Sequence, residues 1–173
     1  MITDHGIMVD IETLSTDMNA TIVQLAAVKF NLDKGIHDSF MVNILPEPKK
    51  YNTHVSKSTL EWWMKQPKEV RMSWQKDQVE LPEALTKFNA WLDKFPKSWM
   101  YCNGLSFDFP VIRWAYSQTG LKQNWDYWKE VDSRTINSLF DYRLPPGNTH
   151  NALDDVTHQA NHLLKLFKSF SEI

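Results

Sequence analysis

Two acidic residues interrupt an apolar stretch near the beginning of the sequence. Asp10 and Glu12 stand in MVDIETL, where most neighbours are Met, Val, Ile or Leu. On a β-strand, side chains two residues apart share a face and lie about 7 Å from each other, so both carboxylates would point to one place. Such a pair is costly to remove from water unless cations lie nearby or the strand end is exposed. The pair predicts a metal site, with those two arrangements as alternatives.

Two further acidic residues occur where helices are predicted to begin. Asp108 in YCNGLSFDFP follows a predicted strand, and Asp155 in HNALDD lies in the first turn of the predicted last helix. Either residue alone is typical of a favourable contact with a helix N-terminus. Four carboxylates together provide the oxygen ligands that Mg²⁺ and Mn²⁺ prefer. Two such ions about 4 Å apart can hold the attacking and leaving oxygens of a phosphodiester.

A base for this chemistry is found in the loop before the last helix. His150 precedes Asp155 by five residues and follows a glycine-containing segment. Histidine changes its charge near neutral pH, and a loop lets it move over bound metals, so His150 is the candidate general base. A lone loop histidine is more often a surface residue, and the assignment therefore depends on the four acids.

The composition limits the class of protein. The chain has 173 residues, which predicts one domain over residues 1–173. Its formal net charge of −2 gives no sign of a strongly basic surface, although a metal site can recruit phosphates locally. Cys102 is the single cysteine, and its apolar neighbours predict a buried thiol. No segment has the pattern of a signal peptide or membrane helix, so we expect a cytoplasmic protein without a membrane partner.

Alternating apolar residues predict three consecutive strands, followed by alternating helices and strands. The strands are predicted at 7–12, from Thr21 and from Asp38, with a hairpin turn at 33–35. Three strands in a row favour an antiparallel meander. The complete order predicts an α/β fold with a mixed five-stranded sheet flanked by helices.

Helix signals divide the rest of the chain. Ser58 and Glu61 have the spacing of a capping box, which predicts a helix closed by Pro67. The other predicted elements are helices over 81–96 and 109–120, strands over 99–103 and around Val131, a helix over 134–140, a loop over 141–151 and a long helix from Ala152.

Three short motifs resemble one known family. DIET, NGLSFD and HNALDD are similar to the three exonuclease motifs of the DEDDh, or DnaQ-like, 3′–5′ exonuclease superfamily, in the same order. The resemblance extends from residue 7 to about residue 165, and three ordered motifs are more specific than an isolated D-x-E. STLEWWMKQ and GLSFDFPVI are further similar to small phage DexA-type exonucleases and to the Rv2179c-like exoribonuclease group, which leaves DNA and RNA open.

The resemblance implies a fold and a role for each matching residue. The fold would be ribonuclease H-like. Asp10, Glu12, Asp108 and Asp155 would bind two divalent cations, Mg²⁺ or Mn²⁺, and His150 would be the general base. The motif spacing selects Asp155 over its neighbour Asp154, and it leaves Asp132 outside the metal site as a structural residue. Four residues would form the pocket of the terminal nucleotide: Thr13 near the sugar, Leu14 against the base, and Asn103 and Phe107 on the second side.

The sequence leaves the roles of two pairs of ring residues undecided. Trp62 and Trp63 lie about 100° apart on a helix, so one is expected in the core and one in the cleft, where it could stack a base. An alternative puts both in the core or at a subunit contact. His158 and His162 have a spacing that can bind zinc, but no third ligand accompanies them.

The expected activity is metal-dependent 3′–5′ exonucleolytic hydrolysis of single-stranded DNA ends, which releases nucleoside 5′-monophosphates. One alternative is an exoribonuclease that trims RNA 3′ ends. Another is a nucleic-acid-binding module that has lost turnover, and a third is an interaction protein that uses its aromatic surface. The expected partner is a single strand with a free 3′ end, and a homodimer is also possible.

Overall fold

A five-stranded sheet forms the centre of the computed structural model, which describes residues 5–147 and 149–171. The sheet order is β3-β2-β1-β4-β5. The strands are β1 Gly6–Thr13, β2 Ile22–Asn31, β3 Gly35–Asn43, β4 Trp99–Cys102 and β5 Glu130–Asp132. The first three pair antiparallel, whereas β4 runs parallel to β1 and β5 parallel to β4. The predicted mixed five-stranded sheet and its initial meander are confirmed.

Six α-helices surround this sheet in the described part of the chain. They are α1 Lys57–Met64, α2 Lys68–Ser73, α3 Leu81–Leu92, α4 Asp108–Thr119, α5 Ser133–Leu139 and α6 Ala152–Ser171. A 3₁₀ helix spans Tyr127–Lys129. None of the described helices has the length and apolar character that crossing a lipid bilayer requires.

Alternation along β1 divides the core into two layers. Ile7 and Val9 face one side, where they pack with the buried faces of α3 and α4. Met8 faces the other side and packs against α6. Each large apolar side chain buried in this way contributes about 1.5–3 kcal/mol. Since Asp10 and Glu12 have the parity of Met8, their side chains lie on the α6 side of the sheet.

The beginning of α1 differs from the prediction. Ser56, not Ser58, is the N-cap, and its hydroxyl accepts a hydrogen bond from the Thr59 amide at 3.2 Å. Glu61 does not complete a capping box; instead it pairs with Lys57 at 3.7 Å across one helical turn. The prediction was wrong by two residues because Ser56 and Ser58 both precede the apolar residues, and the sequence pattern does not distinguish them.

Most other elements lie where the sequence places them, with shifted ends. Strand β3 begins at Gly35, whose φ of +68° suits the tight turn from β2. Helix α3 ends at Leu92, earlier than predicted, and α4 ends at Thr119, where Gly120 is the C-cap with a φ of +70°. Helix α2 and the 3₁₀ helix were not predicted, because both are short and neither buries a residue that would give a periodic apolar pattern.

Candidate active site

The first two acids lie at the end of the central strand. The side chain of Asp10 accepts a hydrogen bond from Gln159 Nε2 of α6 at 2.9 Å. The pairing of β1 with β2 shifts between Glu12 and Thr13, as at a β-bulge. Bulges redirect the chain and are common beside active sites. The bulge ends the alternation that aims Asp10 and Glu12 together, so the residues after Glu12 can line a separate groove.

Asp108 reaches the same place from a different element. It is the first residue of α4, and its backbone amide bonds to the Gly104 carbonyl at 3.3 Å. Burial raises the pKa of Asp108 to about 7, while backbone and Cys102 thiol hydrogen bonds and the Arg134 charge act in the opposite direction. Cys102 is fully buried, as predicted, and burial raises the pKa of its thiol. The thiol therefore stays neutral beside Asp108.

The beginning of α6 is fixed to the sheet, and this positions Asp155. Asn151 accepts hydrogen bonds from the amides of Leu153 and Asp154 at 3.1 and 3.4 Å. Gln24 of β2 accepts one from the Ala152 amide at 3.3 Å. In this orientation Asp155 lies in the cavity with the other acids, whereas Asp154 is exposed on another face. The structure thus places the two neighbouring aspartates on different surfaces, and the selection of Asp155 as a metal ligand stays a prediction.

His150 completes the cluster from the loop between α5 and α6. An oxygen of Glu12, an oxygen of Asp155 and a ring nitrogen of His150 all lie within 4.8 Å of one another. His150 has a φ of +46°, a left-handed conformation that histidine adopts more readily than most residues. The loop thereby turns the imidazole back toward the acids.

The electrostatics of the acids fit a divalent cation. Burial raises the pKa of Glu12 to about 8, with further increases from Asp155 and Asp108. Burial also raises the pKa of Asp10 well above its usual range; Asp108 and Glu12 add to this, and the Gln159 hydrogen bond opposes it. Like charges held out of water are stabilised by a metal ion. Asp10, Glu12, Asp108 and Asp155 would hold it, since their oxygens match Mg²⁺ or Mn²⁺.

Two cavities meet at Glu12, and the other three acids line the larger of them. The larger, of about 830 Å³, extends from the acids along α5, the 141–147 loop and α6. Arg134, Arg143 and Asn137 are part of its wall. The smaller, of about 460 Å³, is called the α1 groove here. It is lined by Ile11, Glu12, Thr13, Ser15, Thr16, Ser58, Thr59, Trp62 and Phe107.

The predicted substrate-binding residues divide between these surfaces. Thr13, Phe107 and Trp62 line the α1 groove, and Asn103 and Phe107 line the larger cavity. Leu14 and Trp63 do not line the groove. They are 5% and 4% exposed and pack together beneath it with Val23. The structure therefore offers Trp62, not Trp63 or Leu14, to a ligand.

A hydrogen bond explains why Trp63 is buried while Trp62 is partly exposed. Trp63 Nε1 donates to the Thr13 carbonyl at 2.9 Å, which joins α1 to the end of β1. Trp62 follows about 100° away on the helix and is 38% exposed. One tryptophan thus anchors the groove and the other forms its wall.

Several residues of the site carry no motif and were not predicted. Gln159 supports Asp10, and Arg134 donates to the Asn103 carbonyl at 2.7 Å beside Asp108. Gln159 and Asn137 are buried, and each has a side-chain oxygen without a hydrogen-bond partner in the described structure. Gln159 follows Asp155 by one turn of α6, which is the signal that could have identified it.

The remaining ring and acid candidates have structural roles. His158 Nε2 lies 2.9 Å from the Pro145 carbonyl, and His162 Nε2 lies 3.2 Å from that of Tyr142, so both attach the loop to α6. No zinc cluster of three ligands includes either histidine in residues 5–147 and 149–171. Asp132 ends β5 and caps α5 through the amides of Arg134 and Thr135.

Comparison with known families agrees with this geometry. The model of the Rv2179c-like family, described as a 3′–5′ exoribonuclease domain, matches residues 5–167. The chain belongs to this family. It is therefore a 3′–5′ exonuclease, as its motifs predicted.

Individual relatives extend the comparison. The chain is 26% identical over 155 residues to the exodeoxyribonuclease of Enterobacteria phage T4. The aligned region covers 74% of this chain and 68% of the phage enzyme. The fold matches the nuclease domain of 3′hExo, a DEDDh family member bound to rAMP, with a TM-score of 0.72, 15% identity and coverage of 96% of this chain and 93% of that one. It also matches a zinc-bound E. coli ExoI–ssDNA complex, with a TM-score of 0.69, 16% identity and coverage of 98% and 41%. The ribonuclease H-like fold is confirmed.

Proposed function

We propose that this exonuclease shortens single-stranded DNA from its 3′ end and releases nucleoside 5′-monophosphates, with two divalent cations, Mg²⁺ or Mn²⁺, in its site. The observation that carries the proposal is the convergence of Asp10, Glu12, Asp108, Asp155 and His150 between two cavities. The similarity to the phage exodeoxyribonuclease favours DNA, whereas the description of the family model favours RNA.

Each residue has a defined task in this reaction. When bound, the cations would supply the positive charge that activates a water and offsets the charge of the phosphodiester oxygens. His150 takes a proton from the attacking water, whose oxygen forms a bond to the terminal phosphorus. The bond from phosphorus to the 3′ oxygen of the preceding nucleotide breaks, its electron pair stays on that oxygen, and the oxygen takes a proton from solvent to become the new 3′ hydroxyl. The four acids would hold the cations, and Gln159 fixes the orientation of Asp10 through its hydrogen bond.

The two cavities would receive different parts of the strand. The α1 groove offers the ring faces of Trp62 and Phe107 to a terminal base. The larger cavity offers the guanidinium groups of Arg134 and Arg143, which suit the phosphates of the rest of the strand. The strand would therefore pass over the acids, with its 3′ nucleotide in the groove.

The first test is a time course on 5′-labelled single-stranded DNA and RNA of matched sequence, with Mn²⁺, Mg²⁺ or EDTA. We expect a ladder that shortens from the 3′ end only with metal, and 5′-mononucleotides as products. D10N and D155N should abolish turnover, while D154N, which changes the exposed neighbour, should retain it. H150A should lower the rate by about 10²–10⁴-fold.

The outcomes separate the alternatives. Faster hydrolysis of RNA would replace the DNA assignment by an exoribonuclease. Binding of either polymer without cleavage in any metal would replace the enzyme by a binding module. Wild-type turnover in D155N would overturn the assignment of that residue.

The phosphate path has a separate test in R143A. Arg143 is an exposed loop residue of the larger cavity, so its replacement should raise KM without lowering kcat. The slope of log kcat/KM against log salt concentration should decrease by about 0.7 if one phosphate contact is lost. K122A removes an exposed charge from a residue that lines neither cavity and is the matched control. An unchanged KM and slope in R143A would remove Arg143 from the path.

A further inference from the structure

We propose that Trp62 is a positioning residue for His150, so that the side chain in contact with the terminal base also orients the general base. The inference rests on the proposed function and deepens it. It assigns the α1 groove a role in the rate of the chemical step, in addition to the binding of the nucleotide.

The two rings are in direct contact. Their centroids lie 4.8 Å apart with planes at 87°, an edge-to-face arrangement. This is the geometry that aromatic quadrupoles favour. The contact crosses from α1 to the loop before α6, between elements that are far apart in sequence. It therefore fixes the loop histidine against a helix.

The indole of Trp62 also contacts a buried ring. It packs edge-on against Trp63 at 5.1 Å, with planes at 77°. Trp63 is buried, and its hydrogen bond to the Thr13 carbonyl joins it to β1. Trp62 consequently stands on a fixed support at the end of the strand that carries Asp10 and Glu12.

The imidazole, in contrast, has little other support. In the part of the chain that the structure describes, it forms no hydrogen bond, and Trp62 is its one ring contact. Catalytic histidines are ordinarily oriented by a partner of the second ring nitrogen. His150 also lies in a loop and in a left-handed conformation. The contact with Trp62 takes the place of that orienting hydrogen bond.

Trp62 connects the base pocket to the reaction centre. It lines the α1 groove with Thr13 and Phe107, while its ring contacts His150 beside Glu12 and Asp155. A base seated in the groove would restrict the indole, and through it the imidazole. An end that seats no base would leave His150 less well placed for proton transfer.

The experiment compares single-turnover rates at saturating substrate for wild type, W62A, W62F, H150A and H150A/W62A, with Mn²⁺. We expect W62A to lower the rate about tenfold to a hundredfold, and W62F to recover most of it. In the H150A background, W62A should cause no further loss, because the residue acts through the histidine. W128A removes an exposed tryptophan that lines neither cavity and should match wild type.

A second substrate distinguishes positioning from base contact. With an oligonucleotide whose 3′ residue is abasic, W62A should still lose single-turnover rate, since His150 needs its support even without a base. Equal losses from W62A in the wild-type and H150A backgrounds would overturn the inference. So would a loss that appears only in KM and disappears with the abasic end. An inactive wild-type protein would instead overturn the proposed function, and this inference with it.

Discussion

Single residues without a motif hold the acids in place. Gln159 donates to Asp10, the neutral Cys102 thiol lowers the pKa of the Asp108 carboxyl, and Gln24 accepts from the first amide of α6. Sequence patterns identified the acids because their types and order are specific to the chemistry. The supporting residues could not be predicted, because a glutamine or a buried cysteine is common in any core, and only the fold brings it to a carboxylate.

Gln159 provides the residue-scale prediction for the site. Its replacement by Leu leaves the Asp10 carboxylate without its donor, and supporting residues of this kind typically change metal affinity or activity by about 10–100-fold. We expect Q159L to need a correspondingly higher Mn²⁺ concentration for half-maximal rate. N161A, an exposed change on the same helix, should leave the Mn²⁺ dependence of the wild type intact. An unchanged dependence in Q159L would exclude this role.

Lys29 gives a prediction on the dependence of stability on pH. Its side chain is 4% exposed, its Nζ donates to Ser98 at 3.0 Å, and burial lowers the pKa of Lys29 to about 8. Above pH 8 the unfolded chain, with an ordinary lysine pKa, binds more protons than the folded one. The contribution of Lys29 to the free energy of unfolding therefore rises between about pH 8 and 10, by up to about 1.4 kcal/mol per pH unit.

The measurement is urea denaturation of wild type and K29M from pH 7 to 9.5. K29M should be more stable at pH 7, and its advantage should shrink above pH 8 as the wild-type lysine loses its proton. K34M replaces an exposed lysine in the adjacent turn and should follow the wild-type curve. A constant difference between wild type and K29M over this range would contradict the shifted pKa.

At the scale of elements, the sequence predicts which helices and strands exist better than it predicts the residues at which they begin and end. Helices α3, α4 and α6 have long apolar stripes, and the structure has them at the expected places. Helix α1 is shorter, and two serines compete as its cap; only the hydrogen bond of Ser56 decides between them. Local chemistry allows both, and the backbone path from Leu14, whose carbonyl accepts from the Ser56 amide at 2.9 Å, selects one.

The cap can be tested with a matched pair of variants. S56A removes the acceptor of the Thr59 amide and should lower the free energy of unfolding by about 1 kcal/mol. S58A changes an exposed serine inside the helix and should stay within about 0.5 kcal/mol of wild type. Because α1 carries Trp62, S56A should also slow the single-turnover rate. A larger destabilisation from S58A than from S56A would return the cap to the position that the sequence first suggested.

At the scale of the whole molecule, topology brings together what the sequence keeps apart. The acids come from β1, α4 and α6, and their meeting point could be predicted because β1 and β4 are parallel neighbours whose ends share one edge. The walls of the larger cavity that face these acids could not be predicted. The cavity surface of α5 and the 141–147 loop depends on how His158 and His162 attach that loop to α6, and no local pattern encodes this contact.

This convergence makes the metal-free fold less stable than it could be. Four carboxylates meet where burial and mutual repulsion raise the pKa of Asp10 and Glu12. The substitution D10N relieves that repulsion, because an amide is a neutral isostere that keeps an oxygen to accept from Gln159. D10N should therefore raise the melting temperature in EDTA while abolishing turnover. In the wild type, a metal at a hundred times its Kd should stabilise the fold by about 2.7 kcal/mol.

Thermal denaturation with EDTA and with saturating Mn²⁺ measures both effects. Wild type should gain roughly 5–10 °C from Mn²⁺, a range that follows from about 2–4 °C per kcal/mol for a chain of this length. D10N should have a higher melting temperature than wild type in EDTA, and Mn²⁺ should raise it by much less. D154N changes only the exposed neighbour of Asp155, so Mn²⁺ should raise its melting temperature as much as that of the wild type. If D10N is less stable than wild type in EDTA, repulsion at Asp10 does not limit the stability of the metal-free fold; if the wild type gains nothing from Mn²⁺, the acids do not bind this cation.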